Sequence, residues 1–271
     1  MPELPTARTK AERLFYERLQ QLSAERRAIV LKAVGDPPDF DRIPLPIVLK
    51  LIEDQKFDAW KFYVLIYILA FTGMRREYGG LTEPLPDLAD EDRRVLGPPD
   101  PTWREDDFDL DRPPAVEPAV RAEAEQWADQ AAGTLADQIV RNTLEAARKA
   151  AAAEQRPDAA AILDAIDDVG IAPGKTDRYE RIAITETTRG VTAGETGYRV
   201  RFAAATGTTF TAYWHTERDE RVCPVCQPLN GLSDAQYLAL GFAGPPAHWN
   251  CRCFLTYRVD RPAAVATVSP A

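Results

Sequence analysis

All four cysteines of this 271-residue chain fall within 31 positions, as Cys223-Pro224-Val225-Cys226 and then His248-Trp249-Asn250-Cys251-Arg252-Cys253. A CxxC turn sets two thiolates on one side of a tight knuckle, and a His/Cys group further along can close a tetrahedron around Zn2+ at about 2.0 to 2.3 Å. Packing as four small hydrophobes in a core would not explain why every cysteine and one of only two histidines gather here. Five donors compete for four places. We expect one structural zinc per chain, held by Cys223, Cys226, His248 and Cys251, with Cys253 replacing Cys251 as the alternative. On a strand, those last two cysteines would point to opposite faces.

A catalytic zinc keeps a coordination position open for water and works beside a general acid or base, whereas four protein donors close the site. His215-Thr216-Glu217 together with the CxxC superficially matches the zinc deaminase signature. Only five residues separate the two elements, too few for the separate helices such enzymes use, and Pro224 follows the first cysteine rather than preceding it. The chain has no GxxxxGK[ST] phosphate loop and no credible nucleophile and base pair. We therefore expect no catalysis. The competing classes are a zinc-dependent enzyme and a nucleic-acid-binding zinc module.

Charge narrows the partners. The net charge of -9 is the wrong sign for coating nucleic acid, so any DNA contact must be local. The acidity sits in the middle: residues 80–118 hold 4 basic and 12 acidic side chains, a net -8, among Pro84, Pro86, Pro98, Pro99, Pro101, Pro113 and Pro114. Prolines remove backbone donors and like charges repel, which reads as a solvated, protease-sensitive connector. Met1 to Arg27 alternates charged and apolar residues without the apolar stretch of a secretory signal, so a reducing compartment is expected, where clustered cysteines bind metal. The longest apolar run, Phe62 to Met74, is shorter than the ~20 residues that cross a bilayer and reads as a buried helix, with no membrane partner.

Periodicity outlines the rest. Leu14, Phe15, Leu19, Leu22, Ile29, Leu31 and Val34 recur at helical spacing up to the stop Gly35-Asp36-Pro37-Pro38. A second helix should run from near Pro46 to about Tyr78, with room for a break, and pair with the first as an N-terminal hairpin. Val116 to Glu154, rich in alanine, reads as a long helix, followed by a short one at Asp158 to Val169. A further helix should start near Thr176, its middle unsettled by Gly190, Gly194 and Gly197, and end at Gly207 before a strand over Thr208 to His215. The resulting class is mainly α, with helical N-terminal and middle regions and a small zinc-stapled α+β module at the C-terminus. The expected division is 1–79 N-terminal helical domain, 80–118 acidic connector, 119–207 helical middle, 208–257 zinc module and 258–271 flexible tail. Trp214, Tyr213 and Trp249 read as module core before partner anchors. Asp219 and Arg221 flank the knuckle, and Arg178, Arg181 and Arg189, interleaved with Asp177, Glu180 and Glu186, read as a solvated face.

Trp214-His215-Thr216, Asp219, Val222-Cys223-Pro224-Val225-Cys226, Leu229-Asn230-Gly231, Pro245-Pro246-Ala247-His248 and Asn250-Cys251-Arg252-Cys253 together resemble the C-terminal signature of bacteriophage head-morphogenesis proteins, the Mu F-like minor capsid family. Arg181 to Thr187 is similar to that family's arginine/threonine-glutamate helix, with Ile184 where an arginine is common. The resemblance spans about residues 119–257. It implies a minor, non-catalytic component of the virion that acts near the portal in prohead assembly and in genome packaging or delivery. Its implied partners are portal, major capsid and scaffolding proteins in the bacterial host cytoplasm. For docking, the hairpin of residues 1–79 with its Phe62 to Met74 helix is the expected element.

Overall fold

The computed structural model describes residues 7–34, 43–78, 109–153, 178–217 and 222–260. Four long helices, α1 (Ala7–Val34), α2 (Leu45–Tyr78), α3 (Pro118–Ala153) and α4 (Arg178–Thr206), precede strand β1 (Thr209–His215). A short 3-10 turn (Gln227–Leu229), helix α5 (Asp234–Ala239) and strand β2 (Phe254–Asp260) complete the order. The mainly helical class with a small C-terminal strand region is what the periodicity predicts. The expected helix at Asp158 to Val169, Asp219, Arg221 and residues 261–271 of the expected tail lie outside the described residues, whereas 258–260 of that tail are the end of β2, paired with β1.

α2 is the axis of the helical body. Every residue from Phe62 to Phe71 is buried, and a helix apolar all round must be covered all round. Leu45–Arg75 is long and apolar enough to cross a membrane by composition; here it is sheathed by α1, α3 and α4. Phe15 of α1 stacks on Phe62 with ring centroids 3.9 Å apart, and Trp127 of α3 meets Tyr63 edge-on at 5.3 Å. Each such buried ring contributes about 1.5–3 kcal/mol through the water it sheds. The helix runs unbroken, and this burial withdraws Phe62 to Met74 from docking. Residues on both sides of the acidic segment enter one hydrophobic core.

The end of that acidic segment is anchored. Of residues 80–118, those from 109 are described; Leu110 and Val116 pack against the core, Lys61 reaches Asp111 at 2.6 Å and Arg75 reaches Glu117 at 2.5 Å. These exposed pairs add little energy but fix the entry into α3.

The three glycines that obscured α4 in the sequence explain its packing. A Cβ on Gly190 would lie 2.8 Å from Ile66 Cγ2, one on Gly194 would collide with the Tyr67 carbonyl oxygen, and one on Gly197 would collide with the Tyr67 hydroxyl. Spaced on one face of α4, they let α2 come closer than any side chain would permit. α4 ends where expected, at Gly207, whose φ of +73° suits a residue without a Cβ. The chain then turns into β1, which pairs antiparallel with β2, Phe210 opposite Val259 and Trp214 opposite Leu255. Tyr78, Tyr198, Phe202 and Tyr257 pack around Phe210 and seal the sheet to the helices.

Candidate metal centre

The C-terminal module is laid over α4, and β1 is its foundation. Trp214 is fully buried; its N–H donates to Leu232 O at 2.8 Å and its carbonyl accepts from Gly231 N at 2.7 Å. Asn230 Oδ1 accepts from the Thr216 backbone N–H at 3.1 Å. These bonds hold the Leu229-Asn230-Gly231 turn, and with it the cysteine knuckle just before it, against the end of β1.

Within the knuckle the chain doubles back tightly. The N–H groups of Cys226 and Gln227 both donate to the Cys223 carbonyl, at 3.1 and 3.0 Å, and the Cys226 N–H also faces Cys223 Sγ at 3.3 Å. Pro224 and Val225 project outward while both sulfurs turn to the same side.

His248 arrives from the opposite direction. Its Nδ1 lies 2.6 Å from the Trp249 carbonyl oxygen. A carbonyl can only accept, so Nδ1 carries the proton, and in the neutral ring Nε2 then offers its lone pair. That Nε2 faces Cys223 Sγ at 2.8 Å and Cys226 Sγ at 3.0 Å. Cys226 Sγ is 3.8 Å from Cys251 Sγ, the separation of two sulfurs about 2.3 Å from a shared tetrahedral centre.

The five expected donors therefore come together, in two overlapping groups. The donor atoms of Cys223, Cys226 and His248 lie within 4.8 Å of one another, as do those of Cys226, Cys251 and Cys253. Cys251 and Cys253 do not point apart. They precede β2 instead of lying on it, both are buried, and both bring sulfur to Cys226. Soft thiolates with one neutral imidazole suit a soft or borderline cation, so the donor set fits a metal site.

Hydrogen bonding within the cluster shifts its thiols in opposite directions. Hydrogen bonding from the Cys226 thiol, then from Cys253, holds the Cys251 thiol well below the usual range, aided by backbone hydrogen bonds from Cys253 and Ala247. Cys226, hydrogen-bonded to Cys251 and buried, is pushed up.

His215, the other histidine, stacks on Phe254 with centroids 5.6 Å apart and is in neither donor group, so the deaminase-like pairing is not assembled. Trp214 is core, as expected, but Trp249 is half exposed, and Tyr213 carries the Arg258 guanidinium over its ring at 5.6 Å. The face read as solvated on α4 is partly interior. Glu186 is fully buried, accepts from Tyr63 OH, and accepts from Arg189 Nη1 at 2.9 Å; burial raises its pKa.

Sequence reasoning missed Thr185 and Thr188. Thr185 Oγ1 accepts from the Asn250 N–H at 2.8 Å, and Thr188 Oγ1 donates toward the Cys251 carbonyl at 2.9 Å. The available signal was two hydroxyls at i and i+3 beside the apolar Ile182-Ala183-Ile184.

Fold and site together define a helical protein whose C-terminal part is organised around a partly buried cysteine and histidine cluster with metal-ligating chemistry. The family model of Phage Mu protein F like proteins matches residues 122–256, and this C-terminal half of the chain belongs to that family. The matched span includes most of α3, all of α4 and every candidate ligand. Neither a curated protein nor a solved structure matches the chain.

Proposed function

We propose that this chain is a structural minor protein of a phage head, present in the virion and acting near the portal during prohead assembly and genome packaging or delivery. In this reading one zinc ion, held by Cys223, Cys226, His248 and Cys251, staples the module of residues 208–257. The observation that carries the role is the family match over residues 122–256, which coincides with the helix and module that build the metal centre. The non-catalytic part is supported by the donor count: with four ligands in place no position is left for water or substrate. Metal binding then serves folding, closing a loop whose small core would not suffice alone. Portal, major capsid and scaffolding proteins are the partners, assembled in the host cytoplasm.

The test is the composition of purified proheads and virions. Mass spectrometry should detect the chain at low copy number and crosslink it to the portal. Its absence from both particles overturns the structural role, and zinc-dependent turnover of nucleic acid or peptide overturns the non-catalytic one.

A further inference from the structure

The peptide that links Trp249 to Asn250 is held at both ends. Its N–H donates to Thr185 Oγ1 of α4 at 2.8 Å, and its carbonyl accepts the Nδ1 proton of His248 at 2.6 Å. A trans peptide is planar, with its N–H and C=O pointing in opposite directions, so fixing one group fixes the other. A hydroxyl on α4, more than sixty positions upstream, thereby sets where the carbonyl beside His248 points.

The two ends differ in surroundings. Thr185 is buried, and its own proton goes to Arg181 O at 2.7 Å, one turn back along the helix. With that proton committed, the hydroxyl turns its lone pairs to the Asn250 N–H. The bond at the His248 end is exposed, where water competes for it; the buried bond is stronger and escapes that competition. The buried end anchors the exposed one. On the far side of Asn250, the Cys251 carbonyl accepts from Thr188 Oγ1 at 2.9 Å, which limits rotation of the segment about Asn250.

The carbonyl gives the imidazole both a tautomer and a direction. With Nδ1 protonated, Nε2 holds the lone pair, and it faces Cys223 Sγ at 2.8 Å and Cys226 Sγ at 3.0 Å. An acceptor on the second ring nitrogen orients most ligating histidines, and its loss weakens metal binding by about 10–100-fold. Here that acceptor is main chain, so no side-chain change at Trp249 deletes it. We propose that Thr185 is a positioning residue of the metal centre, orienting His248 through the Trp249–Asn250 peptide. This rests on the reading of the cluster as a zinc site, and it ties the coordination sphere to α4.

The experiment uses the full chain and measures Zn2+ affinity by competition with a chelator. Long-range 1H–15N NMR of the Zn2+-loaded protein reads the His248 ring in parallel. Wild type should show an Nδ1–H proton that exchanges slowly with solvent. Thr185→Val should bind Zn2+ at least about tenfold more weakly and exchange that proton faster, with helical circular dichroism unchanged. Thr185→Ser should restore both, because the hydroxyl returns. In a His248→Ala background no imidazole remains to be oriented, and Thr185→Val should then cost less than about twofold. An equal loss in that background, or an Nδ1–H exchange rate that Thr185→Val leaves unchanged, overturns the positioning role even if the melting temperature falls. So does a loaded wild type with its ring proton on Nε2. A wild-type chain that takes up no Zn2+ overturns the zinc reading itself.

Discussion

Gly194 of α4 sits directly on the Tyr67 carbonyl of α2, and a β-carbon there would overlap the carbonyl oxygen. Backbone cannot rotate out of the way as a side-chain tip can. Gly194→Ala should therefore force α2 and α4 apart and cost about 1–3 kcal/mol or more. Gly133 of α3 is the contrast: a Cβ there would meet only Lys56 Cε at 3.7 Å, an ordinary contact. Gly133→Ala should be neutral or stabilise by up to about 1 kcal/mol through helix propensity. Urea unfolding of the two variants checks both signs, and equal effects would refute this account of the α2 and α4 contact.

Chelation of the metal should loosen the module and spare the helices. Hydrogen exchange after addition of a strong chelator is expected to rise across β1, the knuckle and β2 while α2 and α3 keep their protection. Cys226→Ser, which removes the donor shared by both groups, should reproduce the effect without chelator.

Asn250 offers a backbone test. At φ +63° a glycine is at ease and an alanine is not, so Asn250→Ala should cost about 1 kcal/mol more than Asn250→Gly. Thermal melts of the metal-loaded proteins give the comparison.

The buried Glu186 predicts a pH dependence. Burial raises its pKa above the ordinary carboxylate value, although the Arg189 charge and the Tyr63 hydroxyl pull the other way. With the folded pKa above the unfolded one, the folded chain holds the proton more tightly. This contribution to stability is full below the unfolded pKa and lost as pH rises through the folded pKa. Relative to Glu186→Gln, which does not titrate, wild type should gain stability as pH falls from neutral toward the unfolded carboxylate pKa. Urea midpoints across that window test it, and a constant difference between the two proteins would show that Glu186 is not raised.

The chemistry of the site was legible in residue types and spacing alone. Five soft or borderline donors in 31 positions pointed to a candidate metal site, because ligand identity belongs to side chains and not to topology, and the fold brings them close enough to be compatible with one. Helix extents were legible too: the apolar spacing of α1, the alanine-rich α3 and the stop at Gly207 are local signals, written within a few turns of where they act.

Tertiary structure alone decided what meets what. Gly190, Gly194 and Gly197 read as helix weaknesses until α2 is laid against them, since a glycine's advantage lies in the neighbour it admits. Phe62 to Met74 reads as a buried helix from its composition, but only the fold shows that α1, α3 and α4 are what bury it. Cys251 and Cys253 have the same side chain one residue apart. Thr185 and Thr188 of α4, more than sixty residues upstream, hydrogen-bond the Asn250 N–H and the Cys251 carbonyl, and no local pattern can encode a hydrogen bond whose partner arrives only when the chain has folded.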